Sequence, residues 1–502
     1  MTRPINEQID RILDTVTDKK PEIIIKLKQD RTELKRYLNI SSEVITNRSA
    51  NVKARNLTPP PSKNVPRDPA ADAKSLNSLS KNKRTVSRVL RASYYYKFRE
   101  VQALKTQALE DFEPLIKSSV AQKAGGNIKT FWSSKSVLMR INQTDLHQLR
   151  NSDLNISGVY VNQRLKLPPV TKTEDMPAIV EDNKAYTWGV AKSGALATWG
   201  AFGARGQGVK VAVLDTGIDP NHPDLIGKVA GFAEFDKKGR IVVEGVNAAY
   251  DDGEHGTHCS GTIAGGNASG RWIGMAPDSQ ILSGLVLKGG VGYDAQILAG
   301  MEWAIENGAD IISMSLGALQ LDPFVYDIYT EQILTARQLG IPVVVAVGNE
   351  GHQTSGTPGN NYFALTVGAT DSRDIIAGFS GGRTQLVQSS EFIANEYLPF
   401  IYSKPEVSAP GVDIYSAIPK GKWEAWSGTS MATPHVAGAM ALLLSKGGQL
   451  RELVGLQRTE VLQSLIQGTV KDLGEVGQDH RYGIGRLDAL RAMGFAQDLG
   501  YW

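Results

Sequence analysis

The sequence predicts an α/β protein, with a parallel sheet covered by helices on both faces, preceded by a smaller α+β domain. From about residue 188 onward, short runs rich in Val, Ile and Ala alternate with helical stretches, a pattern typical of buried parallel strands. Residues 22–167 instead order as strand, helix, strand, strand, helix, strand, which is typical of a split βαβ, ferredoxin-like module. The 502 residues, 41% of them apolar, are enough for more than one domain.

Within the first half, each element follows from hydrophobic periodicity and from helix-breaking residues. Strands are predicted over 22–28, 128–132, 136–141 and 159–167, and helices over 30–38, 86–120 and 144–150, the last opened by Thr144 as N-cap. Residues 48–85 are rich in Pro, Ser, Asn and Lys, which predicts a flexible insert. An acidic, Pro-containing linker over 168–187 separates this N-terminal region, 1–167, from the second domain, 188–502.

The composition excludes several classes of protein. No stretch approaches the ~20 apolar residues of a membrane-spanning helix, and the first residues carry charges where an export signal would be apolar. We therefore expect no membrane partner and a cytoplasmic location. The single cysteine, Cys259, allows no internal disulfide and no Cys-rich zinc site, which suits a reducing compartment.

Charge is distributed unevenly along the chain. Residues 1–170 contain 31 Lys and Arg against 16 Asp and Glu, whereas residues 171–502 contain 24 against 36. Either the basic half meets a polyanion such as nucleic acid, or the two halves attract one another. Because the basic residues come with no RNP-type aromatic motif and no helix-turn-helix signature, we favour attraction between the halves and do not expect a nucleic-acid partner.

Three segments carry residues that could do chemistry. Asp215 ends the apolar run VAVLD, His255 and His258 precede a helix of small residues, and Ser430 opens an apolar helix. Taken singly, each has an ordinary structural interpretation, such as a turn-capping Asp or a helix-capping Ser. The two histidines are three residues apart and lack a third ligand, so they do not favour a zinc site.

Together the three segments are far more specific. Asp215, His255 and Ser430 stand 40 and then 175 residues apart, in the chain order known from subtilisin. With its D-T-G, H-G-T-H and G-T-S-M-A-T-P-H motifs, the chain resembles the subtilisin-like serine peptidases, or subtilases, over roughly residues 188–497. This resemblance implies a subtilisin-like sheet, Ser430 as nucleophile, His255 as general base and later acid, and Asp215 as the group that orients the imidazole.

The resemblance also implies the parts of a peptide-binding cleft. The side-chain amide of Asn349, in IPVVVAVGNEG, would stabilise the oxyanion beside the backbone N–H of Ser430. The implied substrate-binding residues are the edge strand Ser315, Leu316 and Gly317 and the pocket glycine Gly356. His258 and His435 are expected to be packing residues, and Cys259, placed as in proteinase K, a buried neighbour of the base.

For the chemistry itself the resemblance implies no cofactor. Asp224, in NHPDL, matches a ligand of a widespread subtilase calcium site. The partner loop GGNASGRWIG carries Asn267 one place away from the aligned position. A structural calcium ion at Asp224 is therefore an expectation to be tested.

Subtilases are commonly made with a βαββαβ propeptide, so the N-terminal region is expected to be an inhibitory prodomain. Its tail after Leu167 would occupy the non-primed subsites, which makes the chain a zymogen and its own N-terminal region a partner. Residues 382–406 form an insertion relative to simpler relatives. This insertion could shape the cleft, receive a partner, or be tolerated at the surface.

The sequence thus predicts a serine endopeptidase that hydrolyses protein or peptide substrates through an acyl-enzyme. One alternative is a peptide ligase or macrocyclising acyltransferase on the same fold, which would give ligated or cyclic product in place of a free carboxylate. Another is a nucleic-acid-binding regulator with a silent peptidase domain, for which salt-dependent DNA binding without active-site labelling would argue.

Overall fold

The structure, a computed structural model, describes residues 5–16, 18, 20–28, 97–125, 127–150, 152–173, 185–325, 327–388 and 390–502. The helix expected at 30–38, the insert at 48–85 and most of the linker lie outside the described residues. Among the helices described, none combines the length and apolar character needed to cross a lipid bilayer.

The N-terminal region contains a four-stranded sheet with helices. In chain order its elements are α1 (Ile5–Thr15), β1 (Glu22–Leu27), α2 (97–116), α3 (Ser119–Lys123), β2 (Lys129–Phe131), β3 (Ser136–Arg140), α4 (Gln143–Arg150) and β4 (Ile156–Val161). The strand order is β2-β3-β1-β4, and β1 runs antiparallel to both β3 and β4. Ile23, Ile24 and Ile25 are fully buried, because the β-branched strand β1 lies at the centre of this sheet.

Two details of the sequence prediction for this region are wrong. The strand expected over 159–167 is broken, because Asn162 and Gln163 bond instead to the first turn of a helix in the second domain: Ala295 N donates to Asn162 Oδ1 at 3.0 Å, and Gln163 N donates to Asp294 Oδ2 at 2.8 Å. Thr144 is not the N-cap of α4. The helix begins at Gln143, and Asn142 Oδ1 accepts from the N–H of residue 145 at 2.8 Å.

The remaining elements build the second domain and the segment that leads into it. The strands are β5 (Arg164–Lys166), β6 (Thr171–Lys172), β7 (Lys210–Asp215), β8 (Val229–Phe235), β9 (Ile241–Glu244), β10 (Gln280–Leu285), β11 (Val291–Tyr293), β12 (Ile311–Met314), β13 (Ala318–Gln320), β14 (Val343–Ala346), β15 (Ser355–Thr357), β16 (Leu365–Thr370), β17 (Arg383–Val387), β18 (Phe400–Lys404), β19 (Val407–Pro410), β20 (Ile414–Ile418) and β21 (Lys422–Ser427). The α-helices are α5 (Trp188–Lys192), α6 (Ala195–Phe202), α7 (His255–Ala264), α8 (Asp294–Glu306), α9 (Thr330–Gln338), α10 (Thr429–Leu443), α11 (Gly455–Gly468) and α12 (Ala489–Asp498), with short 3-10 turns at Val246–Ala248, Asp327–Tyr329, Asn395–Tyr397 and Gln449–Glu452.

The central sheet of this domain has the order β19-β16-β14-β12-β7-β10-β8-β9. Its strands are parallel except β9, which runs antiparallel to β8. In β7, Ala212 and Leu214 pack in one apolar cluster with α8 and α9, whereas Val211 and Val213 pack in the other with α7 and α10. The helices therefore cover both faces, which confirms the predicted α/β architecture. Asp215 ends the inner strand β7, at the sheet edge where ligands of such folds bind.

The insertion at 382–406 folds as the antiparallel hairpin β17 and β18. Phe392 and Ile393 are buried in an apolar cluster that also includes residues of β1 and β4. The ammonium group of Lys26 lies 5.0 Å from the centroid of the Phe392 ring. The insertion is thus in contact with the N-terminal region rather than being bare surface.

Candidate active site

Two glycines allow Asp215 and His255 to approach one another. Gly217 has φ 117°, and a Cβ there would lie 2.1 Å from the carbonyl oxygen of Tyr250. A Cβ on Gly256 would lie 2.1 Å from the carbonyl oxygen of Gly217. Because neither position has room for a side chain, the D-T-G and H-G-T-H turns pack backbone to backbone. His255 Nδ1 consequently lies 2.8 Å from Oδ1 and 3.0 Å from Oδ2 of Asp215.

The Asp215–His255 pair is almost entirely shielded from water, since the two residues are 0% and 2% exposed. Burial on its own would lower the pKa of His255, but the Asp215 carboxylate, helped by Cys259, more than offsets this and raises the pKa well above its ordinary value. The backbone N–H of Thr216 donates to Asp215 Oδ1 at 2.7 Å. With Nδ1 engaged, the Nε2 atom of His255 is left without a hydrogen-bond partner among the described residues. Nε2 is therefore the ring atom that remains available for proton exchange.

Ser430 is the second residue of α10 and is fully buried. Its Oγ donates to the carbonyl oxygen of Ser315 at 3.4 Å, and no hydrogen bond joins it to His255 Nε2. Cys259 lies between His255 and Ser430. Its Sγ is 3.8 Å from His255 Nδ1 and donates to the carbonyl oxygen of Ser430 at 3.4 Å. The three expected residues therefore meet at one place, with no hydrogen bond between the serine hydroxyl and the base.

Asn349 follows β14 and is held by the residue that precedes the serine. Its Oδ1 accepts from the backbone N–H of Thr429 at 2.8 Å and from Thr429 Oγ1 at 2.7 Å. The amide of Asn349 is thereby oriented, and its Nδ2 donates to the carbonyl oxygen of Pro169 at 2.9 Å. Sequence reasoning missed the positioning role of Thr429, although it stands in the same G-T-S motif as Ser430.

A stretch of the chain itself, residues 164–173, crosses this site in extended form. Before Pro169, β5 pairs antiparallel with β11, Leu167 N donates to the carbonyl oxygen of Gly290 at 3.0 Å, and Lys166 forms an antiparallel bridge with Gly317. After it, β6 pairs antiparallel with β21, and the N–H of residue 173 donates to the carbonyl oxygen of residue 425 at 3.0 Å. The segment therefore has strand partners on both sides of the carbonyl that Asn349 binds.

The other expected substrate-binding residues line this groove. Ser315 Oγ donates to the carbonyl oxygen of Ser430 at 2.9 Å, and Leu316 is fully buried. A Cβ on Gly356, in β15, would lie 3.5 Å from the carbonyl oxygen of Val347 and 3.7 Å from the Cα of Gly317. The two glycines thus face a narrow space between the segments 315–317 and 347–349.

The remaining histidines of the motifs are buried and have other contacts. A ring N–H at His258 Nε2 donates to the carbonyl oxygen of Ile414 at 3.0 Å, and the ring stacks on Trp426 with centroids 4.5 Å apart. His435 Nδ1 donates to the carbonyl oxygen of Met431 at 2.8 Å. Burial lowers the pKa of His258 to about 3 and that of His435 to about 4. Both rings are therefore neutral, which fits packing residues.

The carboxylate of Asp224, where a calcium site is expected, accepts two hydrogen bonds. Oδ1 accepts from the backbone N–H of Ala268 at 2.7 Å, and Oδ2 accepts from Trp423 Nε1 at 2.6 Å. Calcium takes oxygen ligands, and each of these oxygens keeps a second lone pair, so a calcium ion at Asp224 stays a prediction. Within the described ranges, the set of three close potential metal ligands is Asp215, His255 and Cys259, which belongs to the site already described.

Comparisons with known proteins agree with this geometry. Residues 206–485 match the model of the Subtilase family. The chain is 37% identical to Subtilisin E of Bacillus subtilis (strain 168) over 291 residues, which are 57% of this chain and 68% of that protein. It is 35% identical to Serine protease AprX of the same organism over 381 residues, covering 68% and 76% of the two chains. It is 36% identical to the Intracellular serine protease of Paenibacillus polymyxa over 293 residues, covering 56% and 79%.

A mostly parallel α/β sheet with these sequence relatives defines the class of subtilisin-like serine endopeptidases. The chain belongs to the subtilase family, which confirms the resemblance inferred from the motifs. It is accordingly a hydrolase of protein or peptide substrates, and the chemistry of this family requires no cofactor.

Proposed function

We propose that the chain is the zymogen of an endopeptidase, with a catalytic domain at 188–502 and an inhibitory prodomain at 1–167. In this proposal Asp215, His255 and Ser430 form the catalytic triad. One observation carries it: the carbonyl oxygen of Pro169 accepts from Asn349 Nδ2 at 2.9 Å, in the middle of a segment bound as a strand across the cleft. A carbonyl held by such a donor is the one that a neighbouring nucleophile attacks.

The residues divide the work of hydrolysis as follows. Ser430 Oγ attacks the carbonyl carbon of the substrate while His255 Nε2 takes its proton, and Asp215 stabilises the imidazolium that forms. Asn349 Nδ2 and the backbone N–H of Ser430 stabilise the negative charge on the carbonyl oxygen. His255 then gives its proton to the leaving amine, and water attacks the acyl-enzyme in a second, equivalent round.

Backbone pairing supports a broad substrate range. A peptide added as a strand between residues 290–293 and Ser315–Gly317 gains main-chain hydrogen bonds whatever its side chains are. Gly356 then bounds the pocket for the side chain that precedes the cleaved bond. Leu316, in the edge segment Ser315–Gly317, contributes buried apolar surface.

Several contacts support an inhibitory role for the N-terminal region. Its strand order, β2-β3-β1-β4 with antiparallel neighbours, fits the ferredoxin-like description. The region docks on α8 and α9 through buried polar contacts: Ser133 N donates to Glu302 Oε1 at 2.8 Å, and Lys26 Nζ lies 3.6 Å from Glu331 Oε2. These contacts would hold the tail in the cleft and exclude substrates.

The relatives and the cysteine content support action inside the cell. One similar protein carries the name Intracellular serine protease. The only cysteine of the sequence, Cys259, is buried and unpaired, which suits a reducing compartment.

Mass spectrometry of the wild-type chain beside Ser430→Ala tests the proposal. We expect self-cleavage between Pro169 and Val170 in the wild type and an intact Ser430→Ala chain. A fluorophosphonate probe should label Ser430 once the N-terminal region has left the cleft. Failure of the released catalytic domain to react would refute the triad assignment, and ligated or cyclic products would favour the acyltransferase instead.

A further inference from the structure

One side chain of the bound segment makes more contacts than backbone pairing requires. Lys172 is the third residue after the carbonyl that Asn349 binds. Its Nζ donates to Glu254 Oε2 at 2.5 Å, lies 3.9 Å from Glu424 Oε2, and lies 4.6 Å from the ring centroid of Trp426. Two carboxylates and one aromatic face thus surround a single ammonium group.

The receiving groups are held in place by the catalytic domain. Trp426 is 1% exposed, and its Nε1 donates to Glu424 Oε2 at 2.8 Å, which fixes the carboxylate beside the ring. Glu254 directly precedes His255, the first residue of α7. Both acidic side chains remain partly open to solvent, at 45% and 39% exposure. The ammonium group of Lys172 therefore binds between two partly exposed carboxylates and a buried indole ring at the rim of the cleft.

Strand pairing fixes which residue of a peptide reaches this acceptor. In the β6–β21 pair, Lys172 stands opposite Trp426 and Thr171 opposite Ser427. A substrate that pairs with the same edge of β21 has the same register, because a shift of one residue would turn its side chains to the other face. The third residue after the cleaved bond would then lie where Lys172 lies.

We propose that Glu254, Glu424 and Trp426 form a subsite for a Lys or Arg side chain three residues after the cleaved bond. The subsite rests on the proposed function, since it places the cleaved bond after the residue that Asn349 binds. Carboxylates attract a cation by charge, and the face of an indole ring attracts it through its quadrupole. The substrates favoured are therefore peptides that carry a basic residue at this position.

Four quenched fluorescent peptides that differ only at this residue, with Lys, Arg, Gln or Glu, test the subsite on the self-processed enzyme. We expect kcat/KM to be about tenfold higher with Lys or Arg than with Gln, from one partly exposed ion-pair site and one cation–π contact. The Glu peptide should be the poorest of the four. Because the acidic groups are partly exposed, the preference for Lys should shrink as ionic strength rises.

Enzyme variants then assign the preference to these residues. In Glu254→Gln/Glu424→Gln the ratio of the Lys to the Gln peptide should fall towards one, and Glu424→Lys should favour the Glu peptide over the Lys peptide. As a matched control, Glu244→Gln removes an exposed acid on β9 and should keep the preference. Because both peptides are measured with the same enzyme sample, the ratio of their kcat/KM values does not depend on the amount of folded protein. Equal rates for all four peptides would overturn the subsite while leaving the proposed function intact.

A binding measurement decides the subsite without any catalysis. In the full Ser430→Ala chain, Lys172→Gln should accelerate amide hydrogen exchange at Thr173, whose N–H is bonded to Ala425, and Lys172→Arg should restore the slow rate. Unchanged exchange in Lys172→Gln would refute the subsite. If wild-type enzyme cleaves none of the peptides, the proposed function fails, and the exchange rates still show whether the cation site exists.

Discussion

Pro169, whose carbonyl oxygen accepts from Asn349, has no backbone N–H to donate within the cleft. The carbonyl oxygen of Ser315 accepts from Ser430 Oγ at 3.4 Å, while His255 Nε2 has no partner among the described residues. The tail thus crosses the cleft while the serine hydroxyl is not bonded to its base.

Replacing this proline should convert the tail into a better substrate. In Pro169→Ala we expect the new N–H to compete with Ser430 Oγ for the carbonyl oxygen of Ser315, which would free the hydroxyl to bond to His255. One additional hydrogen bond of ordinary strength corresponds to about tenfold faster self-cleavage after residue 169. A time course of intact mass measures the rate.

Leu167→Ala, which changes a side chain of the same tail and creates no new N–H, serves as the control. Its cleavage should not be faster than that of the wild type. If Pro169→Ala is cut no faster than the wild-type chain, then the missing N–H does not restrain the nucleophile.

At the residue scale, the sequence could predict which residues of the motifs lie in the active site. It could not predict which residue of the tail meets them. Asp215, His255, Ser430 and Asn349 were identified through the resemblance of their motifs to those of subtilases, and the structure brings all four together. That the carbonyl of Pro169 meets Asn349 could not be predicted, because it depends on how β5 and β6 pair with strands more than a hundred residues away.

At the scale of elements, helix α8 places two acidic side chains under the N-terminal region. Burial raises the pKa of Asp294 to about 7 and that of Glu302 to about 8. Their hydrogen bonds from the N-terminal region, by Gln163 N and Ser133 N, offset this only in part. Both carboxyl groups should return towards ordinary pKa values when the region leaves, so docking takes up protons.

Docking should therefore weaken as pH rises from about 4 to about 8, since a raised carboxyl pKa favours the docked state only while the group stays protonated. Glu302→Gln keeps an acceptor for Ser133 N without the charge, so it should dock more tightly at high pH. The fluorophosphonate labelling rate of the full chain, wild type relative to Glu302→Gln, should be near one at about pH 4. It should rise to about tenfold at pH 8.

Dividing the wild-type labelling rate by that of Glu302→Gln removes the effect of His255 titration on the rate, because that effect is the same in both chains. Glu306→Gln removes a partly exposed acid from the same helix and should give no comparable rise. A ratio that stays flat between about pH 4 and pH 8 would show that Glu302 does not couple docking to protons.

Element prediction succeeded where the hydrophobic pattern alone decides the structure and failed where a tertiary contact does. The run over 210–215 is a strand as predicted, because both its faces are buried by helices. The run over 159–167 has comparable apolar residues, yet it breaks at Asn162 and Gln163, where side-chain and backbone groups bond to α8. No local pattern reveals that a helix of another domain will offer those partners.

At the scale of the whole molecule, shared apolar surface and ion pairs such as Lys26–Glu331 and Lys105–Glu306 lie between the two halves. The apolar cluster that contains β1 continues through α8 and α9 to Phe392 of the insertion. The charge asymmetry, 31 basic against 16 acidic residues before residue 171, was visible in the sequence. The sequence did not show that the insertion contacts the N-terminal region, because the residues that surround Phe392 come together only when the chain folds.

The balance between these two forces predicts how salt affects the proposed zymogen. Long-range attraction between the halves is screened beyond a Debye length of about 10 Å at 0.1 M salt, whereas the apolar cluster and the buried Lys26–Glu331 pair, at 4% and 3% exposure, are screened far less. Raising salt from 0.05 to 0.5 M should speed fluorophosphonate labelling of the full chain by about fivefold. The self-processed enzyme, labelled in parallel, corrects for any effect of salt on the probe reaction. A corrected rate that does not change with salt would mean that packing alone keeps the N-terminal region in place.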